Sequence, residues 1–249
     1  MEKRFIYLEN VDSTNSYLKE LAAGGANEGT AVIAKSQNSG RGRLGRSFFS
    51  PTGGLYMSIL LRPAQAACDA LLITSAAAVA AVRAIERLCG KKCLIKWVND
   101  IYLEDKKISG ILCEGALDPN KNNLLFAVLG IGINISDPKG GFPEDIKDRA
   151  ASIFGKEDVP DNFTQQLANA FYDEFFGIYN AFPKTYFISL YRDRSFLLGK
   201  NISYTKGDKT FFAKAIDIDN LCGLVIEENG EIKTLSSGEV TVREVKYEK

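Results

Sequence analysis

Gly40-Arg41-Gly42-Arg43-Leu44-Gly45-Arg46 packs three glycines and three arginines into seven residues, and its flanks restrict the fold. Thr30 to Ser36 is an apolar, β-branched run that delivers the chain into this loop; Leu55 to Arg62 alternates as a strand beyond it. The loop therefore joins strand to strand. Its spacing matches the dinucleotide fingerprint G-x-G-x-x-G, but that fingerprint needs a helix directly after it to receive the pyrophosphate, and an acidic residue about 20 positions on. Here Phe48-Phe49-Ser50-Pro51 and Thr52-Gly53-Gly54 follow, and no Asp or Glu occurs between Gly29 and Cys68. The match is a decoy, and a Walker A loop fails for want of Gly-Lys-Ser/Thr. Two readings stay open, a solvated basic loop and an anion cradle. Glycines admit close backbone N–H groups and Arg forks match carboxylate and phosphate oxygens, which favours the cradle.

With a formal net charge of +0, this sign bias is local. A pI of about 6.4 argues against a nucleic-acid footprint. The chain has no His, which removes Ser-His-Asp and Cys-His catalysis and His-ligated metals. Chemistry must rest on Lys, Arg, carboxylates, backbone amides or a hydrated cation. Five cysteines without CxxC spacing predict reduced thiols rather than disulfides or a zinc knuckle. Cys89 and Cys93 would share a helix face, but Gly90 ends that helix. No apolar run approaches the roughly 20 residues of a membrane span, and the start leads straight into a strand, so no signal peptide is visible. A cytoplasmic protein is the expectation.

Lys3 to Leu8 reads as a first strand, and Asp12-Ser13-Thr14-Asn15 offers N-cap oxygens to a helix closed by Gly24-Gly25. Capping alone would explain Ser13, Thr14 and Asn15; a small polar ligand at the helix start is the sharper reading. A helix is predicted from Gln65 to Leu88, a strand over Leu94 to Val98, and a hairpin from Ile101 to Glu104 and Lys107 to Glu114. Leu124 to Ile135 is a further strand, Pro138 to Ala150 an irregular and mobile stretch. Helices follow over Pro160 to Ala181 and Lys184 to Arg194. From Lys200 short alternating strands predict a small all-β barrel, with residues 1–198 and 199–249 as the two domains.

Two more constellations carry chemistry. The hairpin after Lys96-Trp97-Val98-Asn99-Asp100 would return Lys107 to Asp100, as a surface ion pair or as a buried cation poised to stabilise transferring charge. Gly130-Ile131-Gly132-Ile133-Asn134 leaves two side-chain-free positions on a strand, for close packing or for a flat ring with Asn134 reading a base edge.

Ser13-Thr14-Asn15, Gln37, Gly40 to Arg46 with Ser50-Pro51, Lys96 to Asp100, Lys107 to Leu112 and Gly130 to Asn134 follow one another in the order and spacing of biotin protein ligases. The chain resembles that family over nearly its whole length. The resemblance implies an α+β fold, with a mixed-sheet catalytic domain of the biotin/lipoate ligase type and an SH3-like C-terminal barrel. It implies that ATP, with Mg²⁺, activates biotin to biotinyl-5′-AMP, and that biotin then passes to a lysine of a biotin carboxyl carrier domain on a carboxylase. It also implies the residue roles. Ser13, Thr14, Asn15, Gln37, Gly40, Arg41, Gly42, Arg43, Lys107 and Gly110 would bind biotin. Arg43, Arg46, Phe48, Lys107, Ile111 and Asn134 would bind ATP and the adenylate. Lys107, Arg43 and Asp100 would be catalytic, Asp100 beside the incoming lysine. Metal ligands are not identified.

The chain departs from the family at Val98, where Pro is common, and at Phe48, where Trp is common. Only Met1 to Lys3 precede the first strand, so the expectation is a monofunctional enzyme without operator binding. The resemblance allows a homodimer. Lipoate–protein ligases share the fold and the adenylate chemistry and are the nearest alternative; a non-catalytic biotin sensor is the alternative of another class.

Overall fold

The computed structural model describes residues 3–63, 70–117, 124–182, 184–206 and 208–242. Strands β1 (Arg4–Val11), β2 (Thr30–Gln37), β3 (Gly54–Leu61), β4 (Cys93–Lys96), β5 (Asp100–Leu103), β6 (Lys106–Leu117) and β7 (Leu124–Asn134) form one seven-stranded sheet, in the order β1-β2-β3-β7-β6-β5-β4. The β1–β2 pair is parallel, because helix α1 (Thr14–Ala23) crosses between them; the other pairs are antiparallel. Strands β8 (Asn201–Lys206), β9 (Lys209–Ile218), β10 (Leu224–Glu228), β11 (Glu231–Leu235) and β12 (Glu239–Val242) form a second, antiparallel sheet of the SH3-like kind. The fold is α+β.

Alternation along β3 and β7 decides which face carries what. Leu55, Met57, Ile59 and Leu61 with Leu129, Ile131 and Ile133 face the main core, under α2 (Ala70–Cys89) and α3 (Phe163–Tyr179). The middle of α2, Ala76 to Ala81, is fully buried, and its small side chains let the helix lie between sheet and α3. On the opposite face Leu60, Val128 and Phe126 pack under Leu18 and Ala22 of α1. Further along that face β3 carries Ser58 and β7 carries Gly130, Gly132 and Asn134. There the apolar pattern stops, and the sheet is left open to a ligand.

Some sequence expectations need correcting. The strand expected over Leu94 to Val98 ends at Lys96, since Trp97–Asn99 is a turn whose Val98 carbonyl accepts from the Tyr191 hydroxyl at 3.1 Å. The helix expected from Pro160 begins at Phe163. The expected first turn of α2 from Gln65 lies outside the described residues. Pro138 to Ala150 is not a free loop. Lys107 N–H donates to the Arg149 carbonyl at 2.8 Å and Ala151 N–H to the Lys107 carbonyl at 2.9 Å, so the segment is stitched to the start of β6. Gly90, at φ +69, does end α2.

The two sheets share one core. Leu197, Ile202, Ile218, Cys222 and Val240 belong to the same buried cluster as α2 and β3. Trp97, 4% exposed, donates its indole N–H to the Cys222 carbonyl at 2.8 Å, and Arg192 of α4 (Phe187–Asp193) pairs with Asp217 of β9 at 2.6 Å. Trp97→Phe should therefore orphan a buried carbonyl and cost about 1–2 kcal/mol, read as a melting temperature lower by about 3–6 °C.

Candidate active site

The floor of the site is built where α1 starts. Ser13 caps the helix, its hydroxyl accepting from Ser16 N–H at 3.4 Å. Thr14 N–H and hydroxyl both reach Gln37 Oε1, at 2.9 and 3.1 Å, and Gln37 Nε2 donates to Ser50 Oγ at 2.9 Å. Ser58 Oγ stands 2.8 Å from Thr14 Oγ1 and 2.6 Å from Asn15 Oδ1, with one proton to give between them. A Cβ on Gly130 would sit 2.2 Å from Asn15 Oδ1, so the glycine is what lets the amide lie against the sheet. The result is a largely buried row of amides and hydroxyls, hydrogen-bonded to one another.

The arginine loop is a small hairpin. Arg41 bridges Ser47, Gly42 N–H donates to Arg46 O at 2.7 Å, and Phe48 N–H to Gly40 O at 2.8 Å. Its tip, Arg43–Gly45, is a single 3₁₀ turn with Leu44 at φ +55. Arg43 donates to Asn99 Oδ1 at 3.2 Å and to the Gly238 carbonyl at 3.4 Å, tying the loop to the KWVND turn and to the second sheet.

The hairpin β5–β6 brings Lys107 Nζ to 2.7 Å from Asp100 Oδ1. That oxygen is buried, and the Lys107 ammonium is the charge that meets it. Burial, then the Asp100 charge, pushes the neighbouring Tyr102 hydroxyl up to about 12, which keeps it protonated at neutral pH.

These parts enclose one cavity of about 850 Å³. Ser13, Thr14, Asn15, Gln37, Arg41, Gly42, Arg43, Arg46, Phe48, Asp100, Lys107, Gly110, Ile111 and Asn134 all line it. Gly40 lies just behind, its Cα packed against the Phe48 carbonyl and Ser50 hydroxyl. Ile111 reaches the lining from a core position: its side chain is 2% exposed, in register with Ile131, and Asn99 holds its N–H and C=O. The flat ring resting on the glycines is the protein's own Phe48, since a Cβ on Gly132 would meet it at 2.4 Å and one on Gly110 at 3.2 Å. Asn134 Nδ2 donates to Ala151 O at 2.9 Å. Around the wall stand Arg41, Arg43, Arg46, Lys96, Lys107 and Arg149, against a single carboxylate among the described residues, Asp100.

A polar floor, a hinged cationic loop and an ion pair facing it describe a site for joining two anions. Comparison with known proteins agrees. The Biotin/lipoate A/B protein ligase family matches residues 7–134, and the Biotin protein ligase C terminal domain matches residues 197–243. The chain belongs to the biotin protein ligase family. It is 33% identical over 244 residues to the bifunctional ligase/repressor BirA of Bacillus subtilis, covering 96% of this chain and 74% of that protein. It is 28% identical over 238 residues to the biotin–[acetyl-CoA-carboxylase] ligase of Mycobacterium tuberculosis, covering 92% of this chain and 85% of that one. The structure of the biotin protein ligase of Aquifex aeolicus in complex with biotin and ATP superposes with a TM-score of 0.80 at 30% identity, covering 97% of this chain and 99% of that one.

Several lining residues of this biotin protein ligase family member escaped the sequence reading. Ser58, fully buried behind Thr14 and Asn15 rather than in the lining, was missed as well, although a Ser inside Leu55 to Leu61 breaks that run on its ligand face. Phe142, Ile146, Arg149 and Ala150 come from the stretch expected to be mobile. Val240 and Thr241 come from the second sheet and Gly238 from the turn before β12, where its carbonyl meets Arg43 from 195 residues away. No local pattern announces these last two groups.

Proposed function

We propose that this cavity takes biotin on its polar floor and ATP beneath the arginine loop, forms biotinyl-5′-AMP, and passes biotin to a lysine of a biotin carboxyl carrier domain. In this reading residues 1–198 are the catalytic domain and 199–249 the C-terminal one. The observation that carries it is the pairing of a buried amide–hydroxyl floor with six cations around one carboxylate. The floor of Thr14, Asn15 and Gln37, backed by Ser58, suits a head group with both N–H and C=O, as a ureido ring has and a dithiolane lacks.

In the first step a biotin carboxylate oxygen bonds to the α-phosphorus of ATP and pyrophosphate leaves. Both reactants are anions, so Arg43, Arg46 and Lys107 offset their repulsion and the charge that grows on the phosphoryl oxygens. No cluster of three or more His, Cys, Asp or Glu stands among the described residues, and Asp100 is the sole lining carboxylate. Asp100 would be the protein carboxylate available to hold Mg²⁺, and the ion would supply neutralisation of phosphate charge. In the second step the carrier lysine amine bonds to the acyl carbon and AMP leaves. In this reading the Asp100 carboxylate, whose side chain is 22% exposed and whose buried Oδ1 is held by Lys107, accepts the amine proton.

Asp100→Asn should slow transfer about a hundredfold, a loss about tenfold greater than any it causes in adenylate formation. Chasing isolated biotinyl-5′-AMP onto a carrier domain measures the second step alone, and transfer at the wild-type rate would refute the role. The whole reading is tested by mixing the chain with a carrier domain, Mg-ATP and either labelled biotin or labelled lipoate. Label from biotin should appear on one lysine. Lipoylation instead, or label from neither, would contradict it.

A further inference from the structure

Glu114 is absent from the cavity lining, yet three side chains meet on its carboxylate. They come from two elements: Lys19 Nζ of α1 lies 2.8 Å from Oε1, Asn15 Nδ2, also of α1, donates to Oε2 at 2.9 Å, and Arg41 of the loop reaches Oε1 at 3.2 Å. The register of β6 puts Glu114 opposite Val128, on the face that also carries Gly110 and Leu112. Its side chain is 18% exposed, whereas that of Arg41 is 50% exposed. The carboxylate is thus the fixed partner and the arginine the one that comes to it. Arg41, Arg43 and Arg46 share one short loop on a wall that also bears Lys96, Lys107 and Arg149, so with no ligand anion their mutual repulsion pushes the loop outward. Glu114 supplies the opposing pull.

We propose that Glu114 is a positioning residue for biotin: through Arg41 it holds the arginine loop over the cavity before ligand enters, and it orients Asn15 with its other oxygen. The inference rests on the reading of this cavity as the biotin site, but its first readout does not. Glu114→Gln keeps the shape and an acceptor for Asn15 while removing the charge that holds Arg41. For a pair half open to solvent, hydrogen exchange of the ligand-free loop, residues 38–50, should quicken about fivefold, and KM for biotin should rise about fivefold with kcat within about twofold. Arg41→Gln should do the same. The double variant should be no worse than the stronger single one, because both remove one contact. Lys19→Met, which takes the other cation from Glu114 without touching the loop, should change neither readout.

Unchanged loop exchange in Glu114→Gln overturns the proposal. So do single effects that multiply in the double variant, a Lys19→Met that loosens the loop equally, or faster exchange spread over the whole chain. A wild-type chain that neither binds nor turns over biotin would refute the biotin reading, while the exchange experiment still decides whether Glu114 holds the loop.

Discussion

Lys107→Gln is expected to lower the rate of adenylate formation about a hundred- to a thousandfold, with the fold intact. The ammonium sits 2.7 Å from Asp100 and 6.0 Å from the centre of the Phe48 ring, where the proposed reading puts the new phosphoryl–acyl bond. Gln keeps a hydrogen-bonding group, one bond shorter, but not the charge, so the loss falls on the step in which charge develops. The backbone of Lys107, not its side chain, holds Arg149 and Ala151, which is why stability should change by less than about 1 kcal/mol. Pre-steady-state formation of biotinyl-5′-AMP separates this from a defect in transfer; a wild-type burst in Lys107→Gln would remove the residue from the chemistry.

Gly40→Ala is expected to be nearly as damaging, for a different reason. A Cβ there would stand 2.3 Å from the Phe48 carbonyl oxygen and 2.5 Å from Ser50 Oγ. The first obstacle is backbone, and it cannot yield without breaking the Phe48 N–H to Gly40 O bond that closes the base of the loop hairpin. The strain should cost about 1–3 kcal/mol, and biotin affinity should fall at least about thirtyfold, since loop and floor separate at Ser50 and Gln37. Gly45→Ala is the comparison. Nothing lies within 4 Å of its Cβ, but φ is +74, so it bears only the left-handed backbone cost of about 1 kcal/mol. Calorimetric titration with biotin of both variants should show Gly40→Ala far the weaker; equal affinities would mean that the close approach at Gly40 does not set the loop.

The sequence made the ligand-facing backbone legible because glycine and arginine leave local marks. The strand–loop–strand context of Gly40 to Arg46 disposed of the dinucleotide fold, and Gly130 and Gly132 marked a strand face with no side chains, which the register of β7 then placed beside Asn15 and Phe48. The Asp100–Lys107 pair was legible too, since a hairpin of that length returns one residue to the other. What stayed hidden depends on contacts between distant segments. Glu114 reads as the polar end of a strand until α1 and the loop are placed around it. Pro138 to Ala150 looks unstructured because its order comes from the backbone of Lys107 rather than from its own pattern. The carbonyl of Gly238 carries no side-chain information at all, yet it receives Arg43.

The measurement that tests the account most directly is biotin-dependent exchange of labelled pyrophosphate into ATP, with lipoate run in parallel. Adenylation is reversible and needs no carrier, so the assay isolates the step for which the floor, loop and Lys107 are arranged. Exchange with biotin and none with lipoate is the result the account predicts. Exchange with lipoate alone, or with neither acid, would contradict it.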